Sequence, residues 1–254
     1  MKMKFLTAAG LVMVMLFSIS VFAQDMKPEA GKLYNAGNRL LKTGNYNGAI
    51  DNYDKALKIN EDFRIYYQRG VALKKSHKYE EAKKSFELSL KNKPDFEAGY
   101  NALGGIEFLL KNYDAAVNNF EHVVQTTKND RVKNKVKRNL ALAYTKLGKK
   151  AYAAGKTKKA LGYLTKAVNN KNYDAAYLIL AKLYNELGNW NKSLSAAEKA
   201  LKYRSKIGKG GPYFYMGVAY KNEGNLAKAK KMFRLARKDA SYRKTANYEL
   251  TLLN

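Results

Sequence analysis

The stretch GNYNGAIDNYDKALKIN, residues 44 to 60, returns as HKYEEAKKSFELSLKNK at 77 to 93 and as KNYDAAVNNFEHVVQTT at 111 to 127. In each copy a turn residue, an aromatic, a small residue, a second aromatic and another small or branched residue fall in step. The pattern continues with GKTKKALGYLTKAV from Gly155, GNWNKSLSAAEKAL from Gly188 and GNLAKAKKMFRLAR from Gly224, giving six units. A period of this size marks a repeat architecture. Upstream of each copy lies a second amphipathic segment with its own small residue: Gly37, Gly70, Gly104, Gly148, Ala181 and Gly217, separated by 33, 34, 44, 33 and 36 residues. Ala49, Ala82, Ala116, Ala160, Ser193 and Ala229 repeat the same five separations, so the two segments of a unit are spaced as one block.

Each unit reads as two helices. Leu33, Ala36, Gly37 and Leu40 fall at i, i+3, i+4 and i+7, one face of a 3.6-residue period, and Tyr66, Gly70, Leu73 and Tyr177, Leu180, Ala181, Tyr184 recur there. Ala49, Tyr53 and Ala56 do the same in the second segment. Small residues let two helix axes approach while aromatics fill the space beside them. Gly44, Gly155, Gly188 and Gly224 sit between the helices, where a short turn favours a residue tolerant of positive φ. Neither helix can bury its stripe alone, so neighbouring units must stack.

On these residues the chain resembles the tetratricopeptide repeat (TPR) family, over about residues 28 to 243. The resemblance implies an all-α, right-handed α-solenoid of about six helix-turn-helix repeats closed by a C-terminal capping helix. The repeats fall at about 30–62, 63–96, 97–130, 131–173, 174–207 and 210–243, within a body of residues 24–254. Only Pro94 matches the family's terminal proline, the other junctions having Glu61, Lys128, Asn172, Ser205 and Ser241. The fifth repeat has Ala197 where an aromatic is usual, and Trp190 at the turn is expected to offset it in part.

The 44-residue interval holds two overlapping registers, RNLALAYTKLG and ALAYTKLGKKAYAAG, which predict one helix lengthened by about two turns, from near Val132 to near Ala154. At the far end, residues 242 to 254 offer a last amphipathic helix with Tyr242, Ala246 and Leu250 inward, a cap for the exposed face of the sixth repeat.

The 254 residues include no cysteine and two histidines, which excludes disulfides, thiolate nucleophiles, cysteine-based zinc sites and a lipidated N-terminal cysteine. Lys2 and Lys4 precede an uncharged stretch at residues 5 to 23, and Val21-Phe22-Ala23 supplies the residues of a cleavage site. This reads as a secretory signal peptide, residues 1–23, cut after Ala23. A retained anchor is the alternative, since 19 uncharged residues just span a bilayer. The expectation is an exported protein, periplasmic or secreted, and not a lipoprotein.

No nucleophile has a neighbouring base. Asp51 with Asp54, Glu61 with Asp62 and Glu80 with Glu81 lie near helix starts or junctions, where carboxylates favour the helix dipole or cap an amide. His77 and His122 have no partner at ligand spacing, and Gly104-Gly105 is not followed by the Lys of a phosphate loop. The expected protein is not an enzyme and carries no metal or cofactor.

In the TPR family, function lies in the concave surface lined by the first helices. That resemblance implies a groove of Tyr34, Asn35, Asn38, Arg64, Tyr67, Gln68, Lys74, Lys75, Asn101, Lys146, Lys149, Lys182, Asn185, Phe214, Tyr215 and Lys221. Such an inventory of amides, aromatics and ammonium groups suits a protein or peptide with acidic and apolar side chains. The bland alternative makes the tyrosines packing wedges and the lysines a solvated surface. Family members that clamp a C-terminal aspartate use Lys and Asn, then Asn, then Lys and Arg in successive repeats. Here Asn38 matches, but Tyr34, Gln68, Ala98 and Ala102 replace the others.

Residues 1 to 130 hold 19 Lys+Arg against 15 Asp+Glu, whereas residues 131 to 254 hold 29 against 6. The run RVKNKVKR, with Arg131, Lys133, Lys135, Lys137 and Arg138, opens the basic half and forms a candidate patch for anionic surfaces. Three function classes follow: an extracytoplasmic interaction scaffold assembling an envelope complex, a binder of anionic glycan or lipid through the last three repeats, and a nucleic-acid binder. Export disfavours the third.

Overall fold

The structure is a computed structural model that describes residues 26–253. The stretch read as a signal peptide, with the cleavage point after Ala23, lies outside the described residues. Among the described residues there are thirteen α-helices and no strand, and no helix is long and apolar enough to cross a membrane. Six antiparallel pairs follow one another: α1 (Pro28–Lys42) with α2 (Tyr46–Ile59), α3 (Phe63–Lys75) with α4 (Tyr79–Asn92), α5 (Glu97–Leu109) with α6 (Tyr113–Thr126). The remaining pairs are α7 (Asp130–Ala153) with α8 (Thr157–Asn170), α9 (Asp174–Glu186) with α10 (Trp190–Lys202) and α11 (Gly210–Asn222) with α12 (Leu226–Ala236), followed by α13 (Arg243–Leu252).

One interlock recurs inside the pairs. A Cβ placed on Gly37 would lie 2.6 Å from the Tyr53 ring, and one on Gly70, Gly104 or Gly217 would lie 2.7, 2.8 or 2.6 Å from Phe86, Phe120 or Phe233. The glycine has no side chain because the ring of the partner helix rests on its backbone. Tyr53, Phe86, Phe120 and Phe233 are in turn almost wholly buried. The fourth pair substitutes Leu164 for the ring, 2.6 Å from a Gly148 Cβ. In the fifth pair Ala181 and Ala197 are both fully buried, and Ser193 Oγ donates to the Ala181 carbonyl at 2.8 Å. Trp190 does not enter that gap: its ring edge lies 3.7 Å from a Cβ on the turn residue Gly188. The missing aromatic is met by a larger residue at the glycine position and a side chain to backbone hydrogen bond.

The turns are equally regular. Asn45, Lys78, Asn112, Lys156, Asn189 and Asn225 each donate their backbone N–H five residues back, to Leu40, Leu73, Glu107, Ala151, Tyr184 and Tyr220. This helix-ending bond needs a left-handed residue just before the donor. Gly44, Gly155, Gly188 and Gly224 supply it with φ of 82, 70, 68 and 80°, but His77 and Lys111 adopt 61 and 65° in the second and third turns. Both pay the Cβ strain of that conformation.

Each helix packs on the next, and the first helices α1, α3, α5, α7, α9 and α11 also touch one another in series, while the second helices make no comparable series. The stack therefore curves with its first helices inside. The ten extra residues of the fourth repeat lengthen α7 to 24 residues, and Val136, Leu140, Ala143, Tyr144 and Leu147 keep its length in one buried stripe. At the end Ala246 is fully buried and Leu250 packs with Phe233, while the Tyr242 ring sits 5.5 Å from Phe214.

Two outcomes follow for stability. Gly70→Ala or Gly217→Ala overpacks its ring and should cost about 1–3 kcal/mol in urea unfolding, whereas Gly162→Ala, on open α8 surface, should gain about 0.5–1 kcal/mol. Lys111→Gly relieves the left-handed strain and should raise stability by about 0.5–1 kcal/mol, net of the glycine's greater unfolded-state freedom.

Candidate partner-binding groove

Counting from the small packing residue of each first helix places the groove in register. Two residues before it stand Asn35, Gln68, Lys146 and Tyr215; one after it, Asn38, Gly105, Lys149 and Lys182; four after it, Lys74, Phe108, Tyr152, Asn185 and Lys221. The inner faces of the first helices therefore bring most of the expected residues onto one surface, but in different chemical states.

In the first repeat Asn38 Oδ1 accepts a hydrogen bond from the Tyr53 hydroxyl at 2.7 Å, and the Tyr34 ring lies 6.1 Å from that of Tyr53. The one residue shared with the aspartate-clamping pattern is thus held by the core, while Asn35 is exposed. Arg64 is folded onto its own helix cap: Nε and Nη2 reach the Asp62 carboxylate at 2.9 and 2.6 Å. Tyr67 packs edge-on against Phe96 at 5.1 Å and burial pushes its hydroxyl pKa up, so it is largely a wedge between repeats. Gln68 beside it is half-buried, and Lys75 is exposed.

The middle of the groove holds a cleft of about 280 Å³ lined by Lys74, Gly105, Phe108, Leu109, Phe120, Asn139 and Leu142. It exists because Gly105 follows the packing Gly104: the first glycine admits the Phe120 ring, and the second leaves the inner face empty. α7 supplies the far wall, through Asn139 of its extra turns and Leu142 of its ordinary register. Lys74 Nζ comes within 3.8 Å of where a Gly105 Cβ would lie, and Lys74 makes no ion pair among the described residues. Burial, and then the neighbouring Lys75 charge, lower the Lys74 pKa. An ammonium in that state gains from any carboxylate placed beside it. Asn101, on the same helix α5, carries a buried Oδ1 with no hydrogen-bond partner.

Toward the C-terminus the groove's own carboxylates are already engaged. Lys182 lies 4.9 Å over the Tyr152 ring and 4.0 Å from Glu186, which also accepts from the Tyr152 hydroxyl at 2.6 Å. Lys221 is paired at 2.7 Å with Glu249 of the capping helix α13. Asn185 donates to the Tyr215 carbonyl at 2.9 Å and leaves its buried Oδ1 unpartnered. Burial, and then the Tyr242 charge and hydrogen bond, push the Tyr215 hydroxyl far above its ordinary range, with Phe214 5.5 Å away in edge contact. Lys146 and Lys149 are exposed and in no ion pair among the described residues. Of the groove lysines, Lys182 and Lys221 are thus neutralised from within.

The patch at Arg131, Lys133, Lys135, Lys137 and Arg138 lies on the first turns of α7 and makes no ion pair among the described residues, with Arg131, Lys135 and Arg138 exposed. It stands at the opposite end of that helix from Lys149.

Sequence reasoning missed Phe108, Leu109, Asn139, Leu142, Tyr152 and Glu186. Phe108 and Leu109 occupy the register of Lys74 and Lys75, and Leu142 that of Arg64, so the same count finds them; Asn139 needs the lengthened helix. It also missed Asp174, a fully buried residue whose Oδ2 accepts the backbone N–H of Ser205, Lys206 and Ile207 at 2.7, 2.7 and 3.2 Å. Burial alone would raise this carboxyl, but those amides and that of Ala175 outweigh it and hold its pKa below the usual value. Asp174 and Asp239, which accepts from Gly210 N at 3.1 Å, fasten the three extra loop residues between the fifth and sixth repeats. Among the described residues no group of three His, Asp or Glu side chains could hold a metal ion.

The architecture defines a helical-repeat solenoid with an internal groove. A family pattern described as TPR repeat matches residues 37–77, and two described as tetratricopeptide repeat match 63–96 and 213–240. With the fold, these matches make the chain a tetratricopeptide repeat protein. It is 33% identical over 86 residues to Hsp70-Hsp90 organizing protein 3 of Arabidopsis thaliana and 30% identical over 86 residues to Hsp70-Hsp90 organizing protein of Triticum aestivum. Each match covers 34% of this chain and spans only 15% of the relative's length. Among solved structures, pilF of Pseudomonas aeruginosa matches 86% of this chain and 97% of its own with a TM-score of 0.52 and 16% identity. YrrB, described as a TPR protein with an unusual peptide-binding site, matches 78% and 96% with a TM-score of 0.53 and 20% identity. These likenesses show the fold.

Asp174 yields a pH prediction. A carboxyl depressed in the folded state contributes stability above its unfolded pKa, which is lost as pH falls through the folded value. Asp174→Asn should cost about 2–3 kcal/mol at neutral pH, and its melting temperature should fall less steeply than the parent's on acidification below about pH 4.

Proposed function

We propose that this protein is a non-enzymatic scaffold that holds an acidic, apolar segment of a partner protein in its groove, and that it works outside the cytoplasm. The cleft around Gly105 carries this reading: an apolar seat of Phe108, Leu109 and Leu142 stands beside an unpaired ammonium at Lys74. A peptide that places an aliphatic side chain in the cleft and a carboxylate against Lys74 satisfies both. The buried Asn101 Oδ1 on the same helix would accept a peptide amide. The missing clamp residues argue against recognition of a terminal aspartate, because Asn38 is held by Tyr53 and no Lys, Asn or Arg takes the other positions. The names of the Arabidopsis and wheat relatives, organizers of two other proteins, support a protein partner. Lys2, Lys4 and the uncharged stretch ending at Ala23 support export.

The groove is tested by selecting peptides from a random display library on the parent chain and measuring their affinity for Gly105→Leu and Lys74→Glu. Leucine at 105 fills the cleft on a helix it favours, so the fold should hold while affinity falls about tenfold or more. Selected peptides that bind Gly105→Leu undiminished would place the site elsewhere. Export is checked by cell fractionation and N-terminal sequencing, expected to give an extracytoplasmic chain beginning at Gln24.

A further inference from the structure

In a stack of antiparallel pairs every turn from first to second helix lies on one edge. In repeats four to six that edge carries Lys150, Lys156, Lys158, Lys159, Lys192 and Lys228, all exposed and none in an ion pair among the described residues. Lys159, Lys192 and Lys228 lie 5.6, 5.8 and 5.2 Å over the rings of Tyr163, Tyr184 and Tyr220, which keeps their ammonium groups desolvated on one side without neutralising them. Among these lysines stand side chains a soluble domain gains nothing by showing to water: Leu187 and Leu226, 52% and 48% exposed, with Trp190 half-buried beside the turn residue Gly188. The acids at this edge are Asp114 of the third repeat, Glu186, which accepts from the Tyr152 hydroxyl, and Glu223.

We infer that this edge is a docking surface for an anionic lipid bilayer. Lysines reach the headgroup charge while Leu187, Trp190 and Leu226 enter the boundary between headgroups and acyl chains, the two signals a peripheral contact needs. A soluble polyanion would use the lysines and leave the leucines wet. The basic run from Arg131 to Arg138 lacks the second signal: it holds no exposed large hydrophobic residue and starts about 27 Å from Lys149 along α7. Docking by the turn edge leaves the inner groove open, so this inference stands apart from the groove reading.

Trp190 is the chain's single tryptophan and lies at the inferred contact, so its emission reports on that edge. Full-length protein is titrated with vesicles of phosphatidylglycerol and phosphatidylcholine, and with phosphatidylcholine alone. The anionic vesicles should shift Trp190 emission to the blue, brominated acyl chains should quench it, and added salt should reverse the change. Joint reversal of Lys156, Lys158, Lys159 and Lys192 to Glu should weaken the Trp190-reported affinity by about tenfold or more. Leu187→Asp with Leu226→Asp should abolish the blue shift while circular dichroism stays unchanged. Reversal of Lys133, Lys135 and Arg138 should change little and serves as the control. The inference is overturned if Trp190 emission is unmoved by anionic vesicles, if the leucine pair proves dispensable, or if the control reversal has the larger effect.

Discussion

The structure depends on one contact, an aromatic ring seated on a glycine backbone across a helix pair. Gly37 with Tyr53, Gly70 with Phe86, Gly104 with Phe120 and Gly217 with Phe233 each bring two helix axes as close as a ring's thickness allows. All four pairs are sixteen residues apart, which fixes the turn length between them. A turn that short must reverse within a few residues, hence the left-handed position and its repeated five-residue hydrogen bond. With the pairs drawn tight, the first helices touch in series and a continuous inner groove results. Where the interlock is altered, the backbone supplies what the ring does not, as Ser193 does for Ala181.

Charge is arranged on this frame by scarcity of acids. In the basic half Asp174 and Asp239 are spent on loop amides, and Glu186 and Glu249 on groove lysines. Only Glu198 and Glu223 of this half are left for the remaining cations, and several of those rest instead on tyrosine faces, such as Lys166 over Tyr144 and Lys199 over Tyr177. A ring attracts an ammonium without cancelling its charge. The many tyrosines of this half therefore preserve the field that an equal number of ion pairs would have extinguished, and the wedges between repeats and the surface charge belong to one device.

The repeat was legible because its determinants are local. Small residues at equal intervals, an aromatic sixteen positions on and a turn glycine between can be counted along the chain, and even the 44-residue interval resolves into a single longer helix, α7, Asp130–Ala153. Substitutions within the pattern were less legible. Trp190 looked like compensation for Ala197, yet a turn residue cannot reach the middle of the pair, and it lies beside Gly188 instead. The groove was half legible: register names a position as inward but does not say whether its side chain is spent, so Asn38, Arg64 and Lys221 looked as available as Lys74. Asp174 gave no signal at all, because its partners are amides thirty-one to thirty-three residues on and a backbone N–H has no letter in the sequence.

The lengthened α7 joins these threads. An ordinary first helix here spans about four turns, and the extra residues of α7 add Asn139 beside Leu142, which together close the cleft that Gly105 opens. Two lysine and arginine clusters stand at opposite ends of this helix, Arg131 to Arg138 at one edge and Lys149 to Lys159 at the other. A fourth repeat of ordinary length would lack both Asn139 and the Arg131 to Arg138 run, since the extra residues are the N-terminal turns of α7. The insertion thus completes the apolar seat and adds cations at once, and the length of α7 holds those cations away from the turn lysines, where like charges at close quarters would raise each other's cost.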